Sequence, residues 1–352
     1  MGTVTLRRLG LAVVLIAATV AGVVAFRVSG ANAGKVSALR ARLSETGLYL
    51  ADGSIDPGNR PFAPQYPLWT DGARKARWIR LPREAHIDVS DIDGWRFPPG
   101  TTLWKEFSWK GRKVETRMLR AEANGTWTFA AYVWNDEQTD ATLAPPEGVA
   151  GVFEIAPGKW HSVPSQTDCA ACHESGASVV LGFSALQLSD DRDPLAPHSE
   201  ALPQGAVTLR SLIDEDRLRP RRRDLRVHPP RIREADPVAR AAVGYINANC
   251  GTCHNSSGPL ERLGFSLKHD VAGEPGAAEP ALATTLGTAG RFLLPGDTAR
   301  SSRLISPGSP DGSAILHRMK SRSAATQMPP LGTVVVDSAA VALIRRWISG
   351  LQ

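Results

Sequence analysis

Alternation of apolar and polar residues dominates the chain between residues 40 and 160. Four runs there alternate with a period of two, which predicts half-buried β-strands: RWIRLP, TTLWKEFSWK, KVETRML and TWTFAAYVW. Asn124-Gly125 and Lys110-Gly111 lie between such runs and predict tight hairpin turns. The same stretch holds eight of the nine tryptophans, which we expect in a core rather than on a sugar-binding surface. These features predict an antiparallel β domain over residues 40–160.

Helical spacing replaces this alternation in the last third of the chain. Asp236 and Pro237 suit the N-cap and first position of a helix that runs through PVARAAVGYINANC. The final segment, VDSAAVALIRRWISGLQ, places its apolar residues on one helical face. We expect these two helices to cross, with Ala242 or Gly244 facing Trp347.

The N-terminus carries an export signal. Arg7 and Arg8 precede an apolar run over residues 9–26, and Ala31-Asn32-Ala33 provides an A-x-A cleavage site. Residues 1–33 are therefore predicted to be a signal peptide or, if they are not cleaved, a membrane anchor. The expected location is the periplasm, with anchorage to the inner membrane through residues 9–26 as the alternative.

All four cysteines lie in two C-x-x-C-H motifs, TDCAACHE and NCGTCHN. Cys169 and Cys172 form the first pair and Cys250 and Cys253 the second. This is the attachment signature of c-type haem, in which two thiols bond the vinyl groups and the next histidine binds the iron. We predict two covalent c-type haems with His173 and His254 as proximal ligands.

Other uses of the cysteines fit less well. A thioredoxin-like pair needs one C-x-x-C and no adjacent histidine. A four-thiol zinc site leaves both histidines unexplained, and the gap from Cys172 to Cys250 is far longer than in a zinc ribbon. A disulfide within C-x-x-C closes too short a loop to constrain the chain. Export also agrees with haem, since c-type haem is attached outside the cytoplasm.

The sixth iron ligands are predicted separately for each haem. Met328, in QMPPLGT, is the expected distal ligand of the second haem, because the two prolines that follow it prevent helix formation. Met319 competes with it but lies in an apparent helix. The first haem has no such motif, and the sequence leaves open His198, in the loop APHSE, and also His228, His161, Met118 or an unfilled position.

Charge and composition complete the division into domains. The net charge is +6, and eight arginines fall between Arg217 and Arg233. We interpret 217–235 as a basic, Pro/Arg-rich linker rather than as a docking patch for an acidic partner or anionic lipid. The first haem-binding region then covers 161–216, and the C-terminal haem domain covers 236–352. Nucleic acid is not expected as a partner of an exported haem protein.

The chain after the signal resembles a bacterial family of secreted di-haem c-type cytochromes. The resemblance lies in several blocks, among them YPLWTDGARKARWIRLP, FPPGTTLWKEF, VPSQTDCAACH, LGFSALQL, NANCGTCHN and MPPLGT. It implies two covalent haems, export and an accessory Trp-rich β domain. The C-terminal part resembles class I cytochrome c. The predicted fold is therefore α+β, an antiparallel β domain followed by a mostly α-helical cytochrome c-like haem region.

Two classes of function agree with these features. One is an electron carrier that passes single electrons between periplasmic redox partners, either independently or as the electron-transfer subunit of a dehydrogenase. The other is a di-haem peroxidase-like enzyme, in which the first iron keeps an open position. The first motif lacks the helical framing of that enzyme class, and the β domain has no counterpart in it, so we favour the carrier.

Overall fold

Six antiparallel strands form the main sheet of the protein. The computed structural model describes residues 38–274, 276–298 and 301–352; the predicted signal segment 1–33 lies outside them. The sheet order is β1-β2-β4-β5-β6-β7. Its strands are β1 (Arg60–Pro61), β2 (Arg74–Arg80), β4 (Thr102–Trp109), β5 (Arg112–Ala121), β6 (Trp127–Trp134) and β7 (Ala141–Leu143). Two small sheets pair β3 (Ile87–Asp88) with β10 (Leu218–Arg219) and β8 (Val149–Ala156) with β9 (Lys159–Val163).

The strands predicted from alternation are confirmed. Each of the four runs overlaps one of the central strands β2, β4, β5 and β6 over most of its length. Lys110, Gly111 and Gly125 have positive φ at the two hairpin turns, as tight hairpins require. Trp95, Trp104 and Trp109 are buried, so these tryptophans are core residues, whereas Trp160 is 49% exposed.

The sheet separates two sets of side chains. One face carries Trp104, Met118 and Tyr132 against Leu43 and Leu48, which lie in and beside a 3₁₀ turn at Leu43–Thr46. Successive residues of a strand point to opposite faces, so the other face bears Lys105, Arg117 and Phe129 by strand register. This second face is turned towards the first C-x-x-C-H motif, as described below.

The helices are short. They are α1 (Gln166–His173), α2 (Leu209–Asp214), α3 (Asp224–Val227), α4 (Pro237–Asn249), α5 (Pro280–Thr285), α6 (Ala314–Lys320) and α7 (Ser338–Gly350). α4 begins as predicted, because Asp236 accepts the Ala239 N–H at 2.8 Å and Pro237 is its first residue. Asp337 caps α7 through the Ala340 N–H at 3.0 Å. These two helices pack against each other.

The predicted mostly α-helical, class I cytochrome c-like C-terminal part is wrong. The large antiparallel sheet is the main architectural feature, and helices make up only 21% of the residues. Between α4 and α6 the described chain consists mainly of turns and loops, interrupted by one six-residue helix, α5. Glycine and proline recur throughout this stretch, and both residues disfavour helix continuation. Two capped helices are therefore not sufficient to define a helical domain.

One core includes residues from the β region and from the C-terminal helices. Tyr66, from the loop before β2, is 2% exposed and packs with Ala242, Ile246, Ile344 and Trp347. Ala242 and Trp347 thus share a core, whereas Gly244 faces Tyr66 rather than Trp347: a Cβ at Gly244 would lie 2.1 Å from the Tyr66 ring. The described residues, from 38 onwards, belong to one compact unit.

Gly244→Ala is expected to destabilise the protein through this contact. The added methyl group overlaps a buried aromatic ring, and overpacking of this kind costs about 1–3 kcal/mol. Gly350→Ala is the matched control, because it lies in α7 with no atom within 4 Å of the added Cβ, and alanine there favours the helix by up to about 1 kcal/mol. Denaturant unfolding measures both; equal midpoints for the two variants would contradict the packing described.

The arginine-rich segment is extensively paired within the protein. Seven of its eight arginines contact a carboxylate or a carbonyl: Arg217 with Pro82, Arg219 and Arg221 with Asp216, Arg222 with Asp224, Arg226 with Asp214, Arg231 with Asp191 and Arg233 with Glu279. Because five carboxylates compensate much of the positive charge locally, less of it is available to a partner. Over the described residues, no helix combines the length and apolarity needed to cross a membrane.

Candidate functional site

The first C-x-x-C-H motif forms the short helix α1. Ser165 caps it by accepting the Asp168 N–H at 3.1 Å, and the Asp168 carboxylate accepts the Ser165 N–H at 3.0 Å. This reciprocal pair is a capping box, and it starts the helix directly after Pro164. Cys169, Cys172 and His173 then lie on consecutive turns, with both thiols half-buried and not in a disulfide.

His173 has the tautomer that a metal ligand requires. Its Nδ1 lies 2.7 Å from the carbonyl oxygen of Val179, so Nδ1 carries the proton and donates it. The other ring nitrogen, Nε2, is then an unprotonated donor atom. Burial, together with Lys105 and Arg117, lowers the pKa of His173 to about 4, which keeps the ring neutral at pH 7. The Phe129 ring lies 5.4 Å from it.

The second motif follows α4 as a tight turn. Cys250 caps the helix, and its carbonyl accepts the N–H groups of Cys253 at 3.1 Å and His254 at 2.9 Å. His254 stacks on Phe265 with ring centroids 4.9 Å apart. Its Nδ1 is buried and has no hydrogen-bond partner among the described residues. Burial and then Arg318 lower the pKa of His254.

The thiols do not have the character of redox-active cysteines. Burial raises the pKa of Cys169, Cys172 and Cys253, and it raises the pKa of Cys250 to about 12. Reactive cysteines of the C-x-x-C redox class instead have a lowered pKa. Nowhere in the described ranges do three or more His, Cys, Asp or Glu side chains converge as for a metal ion.

The fold brings the two motifs side by side, although 76 residues lie between Cys172 of the first motif and Asn249 at the start of the second. Asn255, directly after the second motif, donates from Nδ2 to the carbonyl of Ser175, just after the first, at 3.0 Å. A Cβ on Gly258 would lie 2.4 Å from that same carbonyl oxygen. Cys172 also contributes to the raised pKa of Cys253.

Asn255→Asp is expected to weaken this junction. The buried Asn255 amide donates to the carbonyls of Ser175, Thr252 and Gly251. A carboxylate in its place faces three acceptors with nothing to donate, which costs about 1–3 kcal/mol of unfolding free energy. The exposed Asn124→Asp in the β5–β6 turn is the control, because Asn124 uses only its acceptor oxygen. Denaturant unfolding of both variants measures the change in unfolding free energy. An unchanged unfolding free energy in Asn255→Asp would show that the junction is not formed.

Met328 lies in a loop attached to α6. Its N–H donates to the Arg318 carbonyl at 3.0 Å, and the Arg318 guanidinium donates to the Thr326 carbonyl at 3.1 Å. Arg318 is also the residue whose charge acts on His254. The same arginine thus connects the Met328 loop with the surroundings of His254. Met319, the competitor, is buried in α6 as predicted.

The structure gives the other candidate ligands of the first haem different surroundings. His198 Nε2 lies 2.9 Å from both carboxylate oxygens of Asp337, the cap of α7, and its ring packs on Trp69. His161 Nε2 lies 2.8 Å from Glu115 in a buried pair. Met118 is in the core on the opposite face of the sheet, and His228 is exposed after α3.

Several residues of the site were not singled out in the sequence. Lys105 and Arg117 act on the first motif: both lower the pKa of His173, and Arg117 also acts on both thiols. Their positions in alternating strands indicated which face they share, but only strand pairing shows that they are neighbours. Asn255 directly follows a motif, yet no spacing rule marks it.

Comparison with known proteins adds no relative: no family model, no curated protein and no solved structure matches the chain.

Proposed function

We propose that the protein is an exported di-haem c-type cytochrome that carries single electrons between periplasmic redox partners. One haem is attached at Cys169 and Cys172, and the other at Cys250 and Cys253. The observation that carries the proposal is the junction of the two C-x-x-C-H segments through Asn255 and Ser175. Two adjacent redox centres suit a protein that receives an electron at one site and delivers it from the other.

The residues around each motif fit the proposed group. The His173 ring is neutral and oriented by the Val179 carbonyl, as expected of an iron ligand held by a backbone acceptor. The His254 ring is held against Phe265, and the Met328 loop is held by Arg318. The bound haems would supply a one-electron iron couple. The chain's part is to fix the histidines, bury the thiols and set the polarity around each site.

The proposed partners are a periplasmic redox protein or a dehydrogenase. His198, which the sequence offered as a distal ligand of the first haem, is not part of this proposal, because Asp337 engages the nitrogen that would bind iron. The peroxidase-like alternative requires an open first iron.

Electron paramagnetic resonance of the oxidised protein, produced with the haem-attachment machinery, separates the two functions. The carrier proposal predicts two low-spin ferric signals and no turnover of hydrogen peroxide. A high-spin signal accompanied by peroxide turnover would replace the carrier with the peroxidase-like enzyme.

A further inference from the structure

A row of three cations crosses the sheet face next to the first motif. Strand register places Arg77 of β2 opposite Lys105 of β4, and Lys105 opposite Arg117 of β5. Like charges directly opposite each other destabilise a sheet. Such a row therefore needs negative charge close by.

Two members of the row have carboxylate partners. Arg77 pairs with Glu200 at 2.6 Å, and Arg117 pairs with the fully buried Glu115 at 2.6 Å. Lys105 differs: among the described residues its ammonium group has neither a carboxylate nor a hydrogen-bond acceptor, and it lies only over the Phe107 ring at 4.9 Å. The lysine in the middle of the row thus has no paired anion among the described residues.

The row faces the first motif. The next residue along it, across from Arg117, is Ala131 of β6. Phe129, two residues earlier on the same strand and so on the same face, contacts the His173 ring. The charges of Lys105 and Arg117 also act on His173 and on Cys172. Burial, and then Arg77 and Lys75, hold the pKa of Lys105 well below its usual value, and an anion beside the ammonium group would favour its charged form.

We infer that Lys105, held between Arg77 and Arg117, is the counter-ion of the carboxylate side chains of the group attached at Cys169 and Cys172. The inference rests on the proposed function, because a haem brings two propionates to the site. An anion at this position supplies the charge that the row lacks. Lys105 is a positioning residue: it holds the group's carboxylates and thereby tunes the iron, without binding the iron itself.

A redox titration of the intact di-haem protein tests this assignment. Lys105→Met removes a positive charge near the first iron, which favours the ferric form, so the potential of one haem falls. We expect about a tenfold change in its ferrous-to-ferric ratio, which is 59 mV for a one-electron couple. Lys105→Arg keeps the charge and should restore the potential. Lys113→Met is the matched control, since Lys113 pairs with Glu106 and lies over Trp134, away from the motif.

The possible results separate the inference from the proposed function. A full haem content with both potentials unchanged in Lys105→Met overturns the counter-ion assignment and leaves the cytochrome proposal standing. A change from low-spin to high-spin iron in both Lys105 variants makes Lys105 an iron ligand and also overturns it. A chain that binds no haem in any form overturns both.

Discussion

Cys250→Ala combined with Cys253→Ala is expected to lower covalently bound haem from two per chain to one. In the proposed cytochrome each C-x-x-C-H motif attaches one haem through its two thiols, and the chain has no cysteine outside the two motifs to substitute for them. The remaining haem belongs to Cys169 and Cys172. The reciprocal variant, with alanine at Cys169 and Cys172, should also retain one haem and lose the other. Pyridine haemochrome absorbance per chain measures both.

These two double variants control each other. Each double variant lacks two thiols, and the haem that it retains has a different proximal histidine. The spectra of the two variants should therefore add up to the spectrum of the unaltered protein. A haem content of two in either variant would show that the cysteines are not the attachment points. A content of zero in both would show that the two sites do not load independently.

Met328→Ala is expected to lower the potential of the second haem and leave the first unchanged. A thioether opposite a histidine favours ferrous iron and raises the potential, and the Arg318 contacts fix the loop that carries Met328. Loss of that ligand should lower the ferrous-to-ferric ratio more than about a hundredfold, which corresponds to a fall in potential of about 120 mV. The measurement is a redox titration, repeated in the Cys169→Ala, Cys172→Ala background so that only the second haem is present.

Leu331→Ala is the control for the Met328 variant. Leu331 lies three residues further along the same loop and is 46% exposed, so its removal should change neither potential. An unchanged second potential in Met328→Ala would assign the sixth ligand elsewhere. A fall in the first potential instead would place Met328 at the other motif.

Local sequence signals predicted the individual elements well. Alternation gave the four central strands, because each of them has one face against a core. The N-cap residues predicted that α4 begins at Pro237 and that α7 begins after Asp337. These signals act over a few residues and are therefore readable from the chain itself.

The tertiary arrangement could not be predicted in the same way. The junction between Asn255 and Ser175 joins residues 80 apart in sequence, and the contact of Gly244 with Tyr66 joins two regions that composition had divided. The cation row depends on the register of three strands, which alternation alone leaves undetermined. The class I cytochrome c-like expectation failed for a related reason, since two helices carry no information on the loops between them.

The covalent haem content of the exported protein tests the central claim most directly. Intact-mass spectrometry of the chain, produced with the haem-attachment machinery and denatured to remove anything not covalently bound, counts the attached groups. The proposal predicts two haems on each chain. A chain with four unmodified thiols, or with a zinc ion released on denaturation in place of haem, would contradict it.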